Sequence, residues 1–366
     1  MSIELKGVVK QLDGETHIYE TNLKLAEGGF NVLLGTTLAG KTTLMRLMAG
    51  LELPSAGEIC FNGKNVTGVP VQKRSVAMVY QAFVNYPNFS VFDNIASPLK
   101  VQRIAKAEIK SRVEAIADLL QLGPMLQRLP QELSGGQQQR TALARALVKN
   151  AELVLLDEPL ANLDYKLREE LREELPRLFA DSGATVVYAT SEPAEALLLG
   201  GHTATMHCGR VIEYGDTAQV YRRPGNMISA AVFTDPPINT IMVKKQGEMI
   251  NLDERVSWQV PQSHHGLDDG DYQLGIRPHH LTPYPDTENS AAITGQVKIV
   301  EISGSASLIH LQFKDNHWVS ESPGVHPCSV GDSITLYINI KHCLLFDANG
   351  LALSKDQKPE ASEQRE

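Results

Sequence analysis

The chain has 366 residues, which is long for one domain and comfortable for two. Its hydrophobic fraction of 42% and charged fraction of 21% are ordinary for a globular protein, so its core needs no disulfides. The net charge of −9 argues against a nucleic-acid-binding surface. The four cysteines are scattered without metal-ligand spacing, which fits a reducing compartment.

The sequence contains no candidate membrane span. Its first residues lack the positive charge and apolar stretch of a secretory signal, and no uncharged apolar run reaches the roughly 18 residues of a spanning helix. We therefore expect another chain to supply the spans if this protein works at a membrane.

The first half of the chain mixes strand and helix patterns. Alternating apolar residues predict antiparallel strands over the first 30 or so residues, and a short apolar run at 30–34 meets a glycine. The later predicted elements are a helix at 42–48 ending at Gly50, a helical stretch at about 106–150, strands at 153–156 and 184–189, and a charged helix at 165–179. Strands that alternate with helices predict an α/β fold with a parallel sheet covered on both faces. The Arg/Glu run of the charged helix is interpreted as a solvated face.

After about Asn239 the pattern becomes β-rich. Predicted strands lie at 272–276, 293–302, 307–313 and 333–340, separated by Gly, Pro and Asp, which favours a small β-barrel. The predicted domains are 1–238, with a helical subdomain at about 82–150, and 239–356. The polar tail at 357–366 is expected to be disordered.

Residues 35 to 42, G-T-T-L-A-G-K-T, match the phosphate-loop pattern between a strand and a helix. Its backbone N–H groups would surround a β-phosphate at a helix N-terminus. Lys41 would reach the β- and γ-phosphates, and Thr42 would ligate Mg²⁺. The predicted ATP contacts of this loop are Gly35, Thr36, Thr37, Leu38, Ala39, Gly40, Lys41, Thr42 and Thr43.

A buried-type strand then ends in two acids, Asp157 and Glu158. Neighbouring strand residues point in opposite directions, so the two acids can have separate roles. Asp157 is predicted to hold Mg²⁺, and Glu158 to act as the general base that polarises the attacking water.

Between these motifs stands L-S-G-G-Q at 133–137, followed by a helical pattern. Here the chain resembles the ATP-binding-cassette (ABC) family, whose signature this is. The resemblance implies a P-loop ABC domain in which Ser134, Gly135, Gly136 and Gln137 face the nucleotide held by a partner subunit. Two such chains would sandwich two ATP molecules.

The resemblance assigns further roles. Gln81 matches the glutamine that senses Mg²⁺ and the attacking water, and the loop at 161–164, ending in Asp164, resembles the one that crosses to the opposite subunit. The segment with Phe83, Tyr86 and Pro87 resembles the surface that receives the coupling helices of two membrane permease subunits. The 274–278 and 330–347 regions resemble the OB-type, TOBE-like barrel of maltose-type importer ATPases, which serve a periplasmic solute-binding protein from the cytoplasmic face of the inner membrane.

Two positions depart from the family pattern. Ser191 stands where the family has a histidine that contacts the γ-phosphate, and serine is shorter and cannot carry a positive charge. His202, the next histidine, is interpreted as a surface loop residue. Leu12 stands where an aromatic residue usually stacks on adenine, although His17 or Tyr19 could substitute.

These departures lie in the site built on this chain's own phosphate loop. The hypothesis is therefore an importer ATPase that is the weaker half of a non-identical pair, with no nucleic-acid role. Its loop and missing histidine look most like one of the two ATPases of bacterial glycerol importers, for a polyol or sugar solute. The alternative is a hydrolysis-poor regulatory subunit of such a transporter; a soluble repair or translation ABC ATPase is disfavoured because it would have a coiled-coil insertion or two cassettes.

Overall fold

The computed structural model describes residues 1–82, 84–161, 163–180, 183–261, 266–285 and 290–353. Within them the chain forms two compact units, the first covering residues 1–218 and the second starting at Gln219. The predicted disordered tail lies outside the described residues. None of the helices in these ranges is long and apolar enough to cross a membrane.

The first unit contains an antiparallel sheet and a mostly parallel sheet. The antiparallel sheet has the order β2-β1-β4-β5 and consists of β1 (Ile3–Leu12), β2 (Glu15–Leu25), β4 (Ala56–Phe61) and β5 (Lys64–Asn65). The second has the order β10-β9-β3-β8-β7-β6 and consists of β3 (Gly29–Leu34), β6 (Val76–Val79), β7 (Leu153–Asp157), β8 (Thr185–Thr190), β9 (His202–His207) and β10 (Arg210–Asp216). The predicted antiparallel start and the parallel sheet are both confirmed.

The register of the parallel sheet brings three strand ends together. Leu34 of β3 pairs with Thr190 of β8, and Asp157 of β7 pairs with Ala189. Every residue of β7 and β8 is buried, as expected for central strands of a sheet covered on both faces. The loops that leave β3, β7 and β8 therefore start at one edge of the sheet.

Among its described residues, six α-helices lie wholly within the first unit. They are α1 (Lys41–Ala49), α2 (Val91–Val101), α3 (Lys106–Leu119), α4 (Gly135–Leu147), α5 (Tyr165–Ala180) and α6 (Pro193–Leu199). Helix α1 ends as predicted, since Gly50 adopts the left-handed conformation at φ 77° and its N–H bonds back to Arg46 and Leu47. The side chains of α1, including Leu44 and Met48, pack into the main apolar core of this unit.

The helical stretch predicted at 106–150 consists of α3 and α4, which 3₁₀ turns at Gly123–Met125 and Pro130–Glu132 separate, whereas the expectation for His202 was wrong. Each turn contains a proline, which cannot continue a preceding helix. His202 is not a loop residue but begins β9, where its ring stacks on Tyr214 with centroids 5.7 Å apart.

Two short helices, α7 (Thr217–Arg222) and α8 (Met227–Val232), precede the β-rich region, which starts at Asn239. Its strands are β11 (Asn239–Gln246), β12 (Met249–Asn251), β13 (Ser257–Gln259), β14 (Gly270–Ile276), β15 (Leu281–Thr282), β16 (Ser290–Ile302), β17 (Ala306–Phe313), β18 (Asn316–Pro323), β19 (Ser333–Asn339) and β20 (Leu344–Phe346). They form two five-stranded antiparallel sheets, β13-β12-β11-β14-β20 and β15-β19-β16-β17-β18. A shared apolar core that includes Leu274, Ile293 and Trp318 fills the space between the sheets, as in a small barrel.

Candidate nucleotide site

The phosphate loop connects β3 to α1 and depends on two glycines. A Cβ on Gly35 would lie 2.5 Å from the Met206 carbonyl oxygen. Gly40 is the N-cap of α1 at φ 101°, and a Cβ there would lie 2.9 Å from Ile18. The first turn of α1 contains no acidic residue, so the positive end of the helix dipole faces the loop uncompensated.

The side chain of Lys41 folds into this loop and is almost fully buried. Its Nζ donates to the carbonyl oxygens of Gly35 at 2.7 Å and Thr36 at 3.1 Å, and lies 3.5 Å from Glu158 Oε1. Burial lowers the pKa of Lys41, while Glu158 and then Asp157 oppose that shift. The two carbonyl groups and the Glu158 carboxylate therefore hold the ammonium within the loop. A bound polyphosphate would compete with these groups for the Lys41 ammonium.

Asp157 ends β7 and is 2% exposed. Burial raises its pKa, and a hydrogen bond from the Thr42 side chain acts against that shift. The Asp157 Oδ2 atom is buried and has no hydrogen-bond partner among the described residues. A buried carboxylate oxygen without a partner, next to a threonine hydroxyl, is the donor set that a hard cation uses.

Glu158 follows at a φ of 45°, a backbone conformation that residues other than glycine rarely adopt. Its N–H bonds to the Ala189 carbonyl of β8, and its Oε2 accepts from Gln81 Nε2 at 2.9 Å. Because Glu158 also contacts Lys41, one carboxylate joins the phosphate loop, the strand end and Gln81. The structure thus brings together the residues that the sequence assigned to these roles.

A groove of about 540 Å³ opens over the loop. It is lined by Glu15, Thr16, His17, Tyr19, Thr37, Leu38, Ala39, Gly40, Lys41, Thr42, Thr43, Gln81, Glu158, Cys208 and Gly209. A neighbouring cavity of about 320 Å³ contains Asp157 and shares Thr42 and Gln81 with the groove. Leu12, 51% exposed at the end of β1, does not line the groove, and its predicted adenine contact stays a prediction.

The signature segment forms the start of a different helix. Ser134 is the N-cap of α4, accepting from the Gln137 N–H, while Gln137 Oε1 accepts from the Ser134 N–H at 3.0 Å. This reciprocal capping box fixes the two side chains, and Ser134 and Gly135 are exposed to solvent. The segment is therefore a second helix N-terminus, open to a ligand presented from outside this chain.

Comparisons with known proteins agree with this geometry. The ABC transporter family model matches residues 18–161, and the TOBE domain model matches residues 274–346. The chain is 34% identical over 349 residues to the sn-glycerol-3-phosphate import ATP-binding protein UgpC of Pectobacterium atrosepticum, covering 94% of this chain and 97% of that protein. The chain belongs to the ABC transporter family of ATP-binding proteins.

A second relative of this ABC ATPase is the maltose/maltodextrin import ATP-binding protein MalK of Photobacterium profundum, 34% identical over 96% of this chain and 97% of that protein. The resemblance to the maltose-type group is confirmed, as is the fold class of a P-loop ABC domain followed by an OB-type domain. The dimeric, post-hydrolysis structure of the ATP-binding cassette MJ0796, bound to ADP and Pi, superposes with a TM-score of 0.55 at 27% identity. It covers 59% of this chain and 98% of that chain.

Ser191 follows β8 at the same edge of the sheet as the phosphate loop. The Gly35 N–H bonds to the Thr190 carbonyl, so the residue before Ser191 contacts the first residue of the loop. Ser191 is exposed but does not line the groove. Its proximity to a γ-phosphate therefore stays a prediction, although it occupies the correct strand end.

Asp164 lies outside the groove and caps helix α5, its Oδ1 accepting from the Leu167 N–H at 3.1 Å. Its predicted contact with a partner's nucleotide is untested. Asn162 of the same loop and Phe83 of the predicted docking segment lie outside the described residues.

The predicted docking segment exposes apolar side chains. Val84, Tyr86 and Phe89 are 62%, 50% and 43% exposed, and Arg145 of α4 lies over the Tyr86 ring at 5.0 Å. Asn85 donates to the Gln138 carbonyl and Arg145 donates to the Val84 carbonyl, so the patch is tied to the signature helix by three contacts. An exposed apolar cluster of this kind is typical of a protein interface.

The sequence interpretation missed the polar contacts that connect these parts. Gln139 of α4 is buried and its Nε2 donates to the Pro159 carbonyl at 2.6 Å, just after Glu158. The interpretation of helix α5 as a solvated face was wrong for Arg172, which is 11% exposed and lies 3.1 Å from the buried Glu195 of α6. Such pairs join residues 20 or more positions apart, so no local pattern contains them.

These observations test whether ATP and Mg²⁺ fit. The uncapped helix N-terminus, the buried Lys41 and the open groove fit a polyphosphate. Among the described residues, no group of three or more His, Cys, Asp or Glu side chains could hold a metal alone. The unpartnered Asp157 Oδ2 beside the Thr42 hydroxyl fits a Mg²⁺ ion that phosphates and water would otherwise surround.

Proposed function

We propose that this ABC ATPase binds and hydrolyses ATP to drive solute import through partner membrane subunits, as the weaker half of a non-identical ATPase pair. The observation that carries the proposal is that Lys41, Gln81 and Glu158 contact one another at the phosphate loop. The signature segment forms a separate helix N-terminus, and its motif is intact. The printed names of two relatives, both import ATP-binding proteins, support the direction of transport.

The loop positions the substrate. Its N–H groups and the α1 N-terminus bind the β-phosphate, and Lys41 donates to the β- and γ-phosphates after exchanging its contacts within the loop. A Mg²⁺ ion held by Thr42, Asp157 and Gln81 would neutralise charge that develops on the phosphates. Asp157 must be ionised for this role, against the effect of burial on its pKa.

Glu158 orients the attacking water and accepts its proton, and Gln81, bonded to its Oε2, holds that water in line. Ser191 has neither the reach nor the charge of a histidine at the γ-phosphate. The transition state in this site is therefore less stabilised, while Ser134–Gln137 complete the partner's site at full strength.

The remaining parts of the proposal concern partners and solute. The patch of Val84, Tyr86 and Phe89 would receive the coupling helices of two permease subunits, which places the chain on the cytoplasmic face of the inner membrane and connects it indirectly to a periplasmic binding protein. The relatives are named for glycerol phosphate and maltodextrin import, which supports a small polyol or sugar as the solute.

The test compares the purified chain alone with the chain assembled with its partner ATPase and permease. We expect slow ATP turnover from the chain alone and a higher rate from the assembly, with Lys41→Ala in this chain abolishing ATP binding at its own loop. Robust turnover by the chain alone as a homodimer would contradict the asymmetry.

Restoring the histidine sharpens the test. Ser191→His is expected to raise turnover at this chain's site by about tenfold, since one positioned donor to a transition-state charge contributes on the order of 2–3 kcal/mol and a grafted side chain recovers part of it. The matched control is Ser111→His, at an exposed position of helix α3 outside the groove, which should leave the rate unchanged. Single-turnover kinetics would separate the two sites, and an unchanged rate in Ser191→His would show that the histidine is not what limits this site.

The alternative function is a regulatory subunit that binds ATP and hardly hydrolyses it. The Ser191 and Leu12 departures favour it, whereas the assembled Glu158–Gln81–Lys41 contacts favour hydrolysis. Glu158→Gln separates the two, because a purely regulatory subunit would lose no transport activity.

A further inference from the structure

Arg168, on the first turn of helix α5, connects two segments of the proposed site. Its Nη2 donates to the carbonyl oxygens of Ala161 at 3.4 Å and Leu163 at 3.3 Å, in the loop that ends at Asp164. Its Nη1 lies 3.3 Å from Glu192 Oε1. One guanidinium therefore holds the loop after β7 and the residue directly after Ser191.

Glu192 is itself anchored from the other side. Its second oxygen accepts from Arg172 Nη2 at 2.6 Å, and its N–H donates to the Thr190 hydroxyl at 3.0 Å. Residues 190 and 192, which flank Ser191, are thus both fixed, and the contacts to Glu192 come from two arginines one helical turn apart on α5.

A buried carboxylate forms the base of this network. Glu195 is 4% exposed and accepts from the Thr190 hydroxyl at 2.6 Å and the Tyr188 hydroxyl at 3.1 Å, while Arg172 donates to its other oxygen at 3.1 Å. Because its carboxylate accepts four hydrogen bonds from three residues and is almost fully buried, this part is rigid. The Arg168–Glu192 contact is more exposed, at 25% and 45% of the two side chains, and is the part that can change partners at low cost.

We propose that Arg168 and Glu192 are a positioning pair that transmits the position of the loop residues Ala161 and Leu163 to the strand end carrying Ser191. The inference depends on the proposed function, in which that loop meets the opposite subunit. When the opposite subunit displaces the loop, the two carbonyl contacts of Arg168 shift, and Glu192 shifts with them. The pair thereby sets the geometry at Ser191 according to the state of the partner's site, without either residue touching ATP.

The length of the acid matters for this pairing. Glu192 must reach Arg168 and Arg172 at once with its two oxygens, and Glu192→Asp would shorten the side chain by one methylene. A lysine at 168 would keep the charge but could not maintain the forked contacts to a carboxylate and two carbonyls. Both conservative variants are therefore informative.

The experiment uses the assembled ATPase pair and measures four quantities: the kcat of this chain's own site, resolved by single-turnover kinetics, KM for ATP, affinity for a fluorescent ATP analogue, and the melting temperature. Arg168→Gln and Glu192→Gln are each expected to lower this kcat by about fivefold, within the range for coupled polar networks, with ATP affinity changed by less than about twofold. The double variant should lose no more than either single variant. Arg168→Lys and Glu192→Asp should fall between wild type and the glutamine variants.

The matched control is Arg177→Gln, which breaks an exposed pair with Glu174 on the same helix and should leave kcat unchanged. Additive losses in the double variant, an unchanged kcat in Arg168→Gln, or a loss of kcat that follows the melting temperature would overturn the inference. If the wild-type pair does not hydrolyse ATP, the proposed function fails. If wild type hydrolyses ATP and Arg168→Gln equals Arg177→Gln, only the positioning pair fails.

Discussion

The proposed function assigns two helix N-termini of the chain to nucleotides, and the two differ in how far they follow the family pattern. At the start of α4 the signature is complete, and a capping box fixes Ser134 and Gln137. At the start of α1 the loop, Lys41 and both acids are assembled, yet Ser191 and Leu12 replace the expected histidine and aromatic side chain. Under the proposed function the signature end would serve the partner's ATP and the loop end this chain's own, so a loss of selection on one site alone would leave this pattern.

The largest predicted effect compares these two ends directly. In the assembled pair, Ser134→Arg should lower total ATP turnover by about a hundredfold, since it places a long side chain at the helix end and disrupts the partner's stronger site. Under the proposed asymmetry, Glu158→Gln removes the base of the weaker site and should lower total turnover by less than about twofold, because most of the turnover comes from the partner's site. Steady-state ATPase assays at saturating ATP measure both.

Either variant could act through misfolding, so Gln131→Arg, in the exposed turn before the signature, is the control for Ser134→Arg. A larger loss from Glu158→Gln than from Ser134→Arg would reverse the assignment and make this chain's own site the principal one.

A smaller effect concerns the base of the nucleotide. Leu12→Trp should tighten ATP binding by about fivefold, because stacking of a base on an aromatic ring contributes on the order of 1 kcal/mol or more. Calorimetric titration with ATP would measure the change. Leu53→Trp, at another exposed leucine of the first unit, is the control.

An unchanged affinity in Leu12→Trp would point instead to the side chains that line the groove, His17 and Tyr19. Tyr19 already has the Arg210 guanidinium over its ring at 3.8 Å, so one face of the ring is occupied. A loss of affinity in Tyr19→Leu would then place the base on the opposite face.

The features that depend on local sequence could be predicted, whereas the contacts between distant segments could not. The loop between β3 and α1, the acids that end β7 and the cap of α4 are local patterns, and each lies where it was predicted. Helix α2 lies within the predicted helical subdomain, but its bounds were not predicted, although Ser90 and Asp93 form a recognisable capping signal, with Ser90 accepting from the Asp93 N–H. The Arg168–Glu192 and Gln139–Pro159 contacts could not be predicted, since they arise only when separate elements pack.

The smallest predicted effect is a loss of stability of the second unit at low pH. Turnover of the two nucleotide sites must be compared at a pH where this loss is absent. His280 stacks on His342 with ring centroids 4.2 Å apart, and burial lowers its pKa to about 3, with repulsion from His279, His342 and Arg277 adding to the shift. In the unfolded chain the same ring has a pKa of about 6.5. Between these two pKa values the unfolded state therefore binds more protons than the folded state. The free energy of unfolding is highest above about pH 6.5 and decreases as the pH falls below it.

Because the His280 ring is partly exposed, screening by solvent reduces this loss to about 1 kcal/mol between pH 7.5 and pH 5. The two tryptophans of the chain, Trp258 and Trp318, are both buried in the second unit, so their fluorescence during denaturant unfolding reports on that unit. His280→Asn should reduce the pH dependence, whereas the exposed His17→Asn of the first unit should leave it unchanged. An equal pH dependence in wild type and His280→Asn would assign the acid sensitivity to another group. The turnover of the two nucleotide sites should then be compared only at pH values above the pKa of that group.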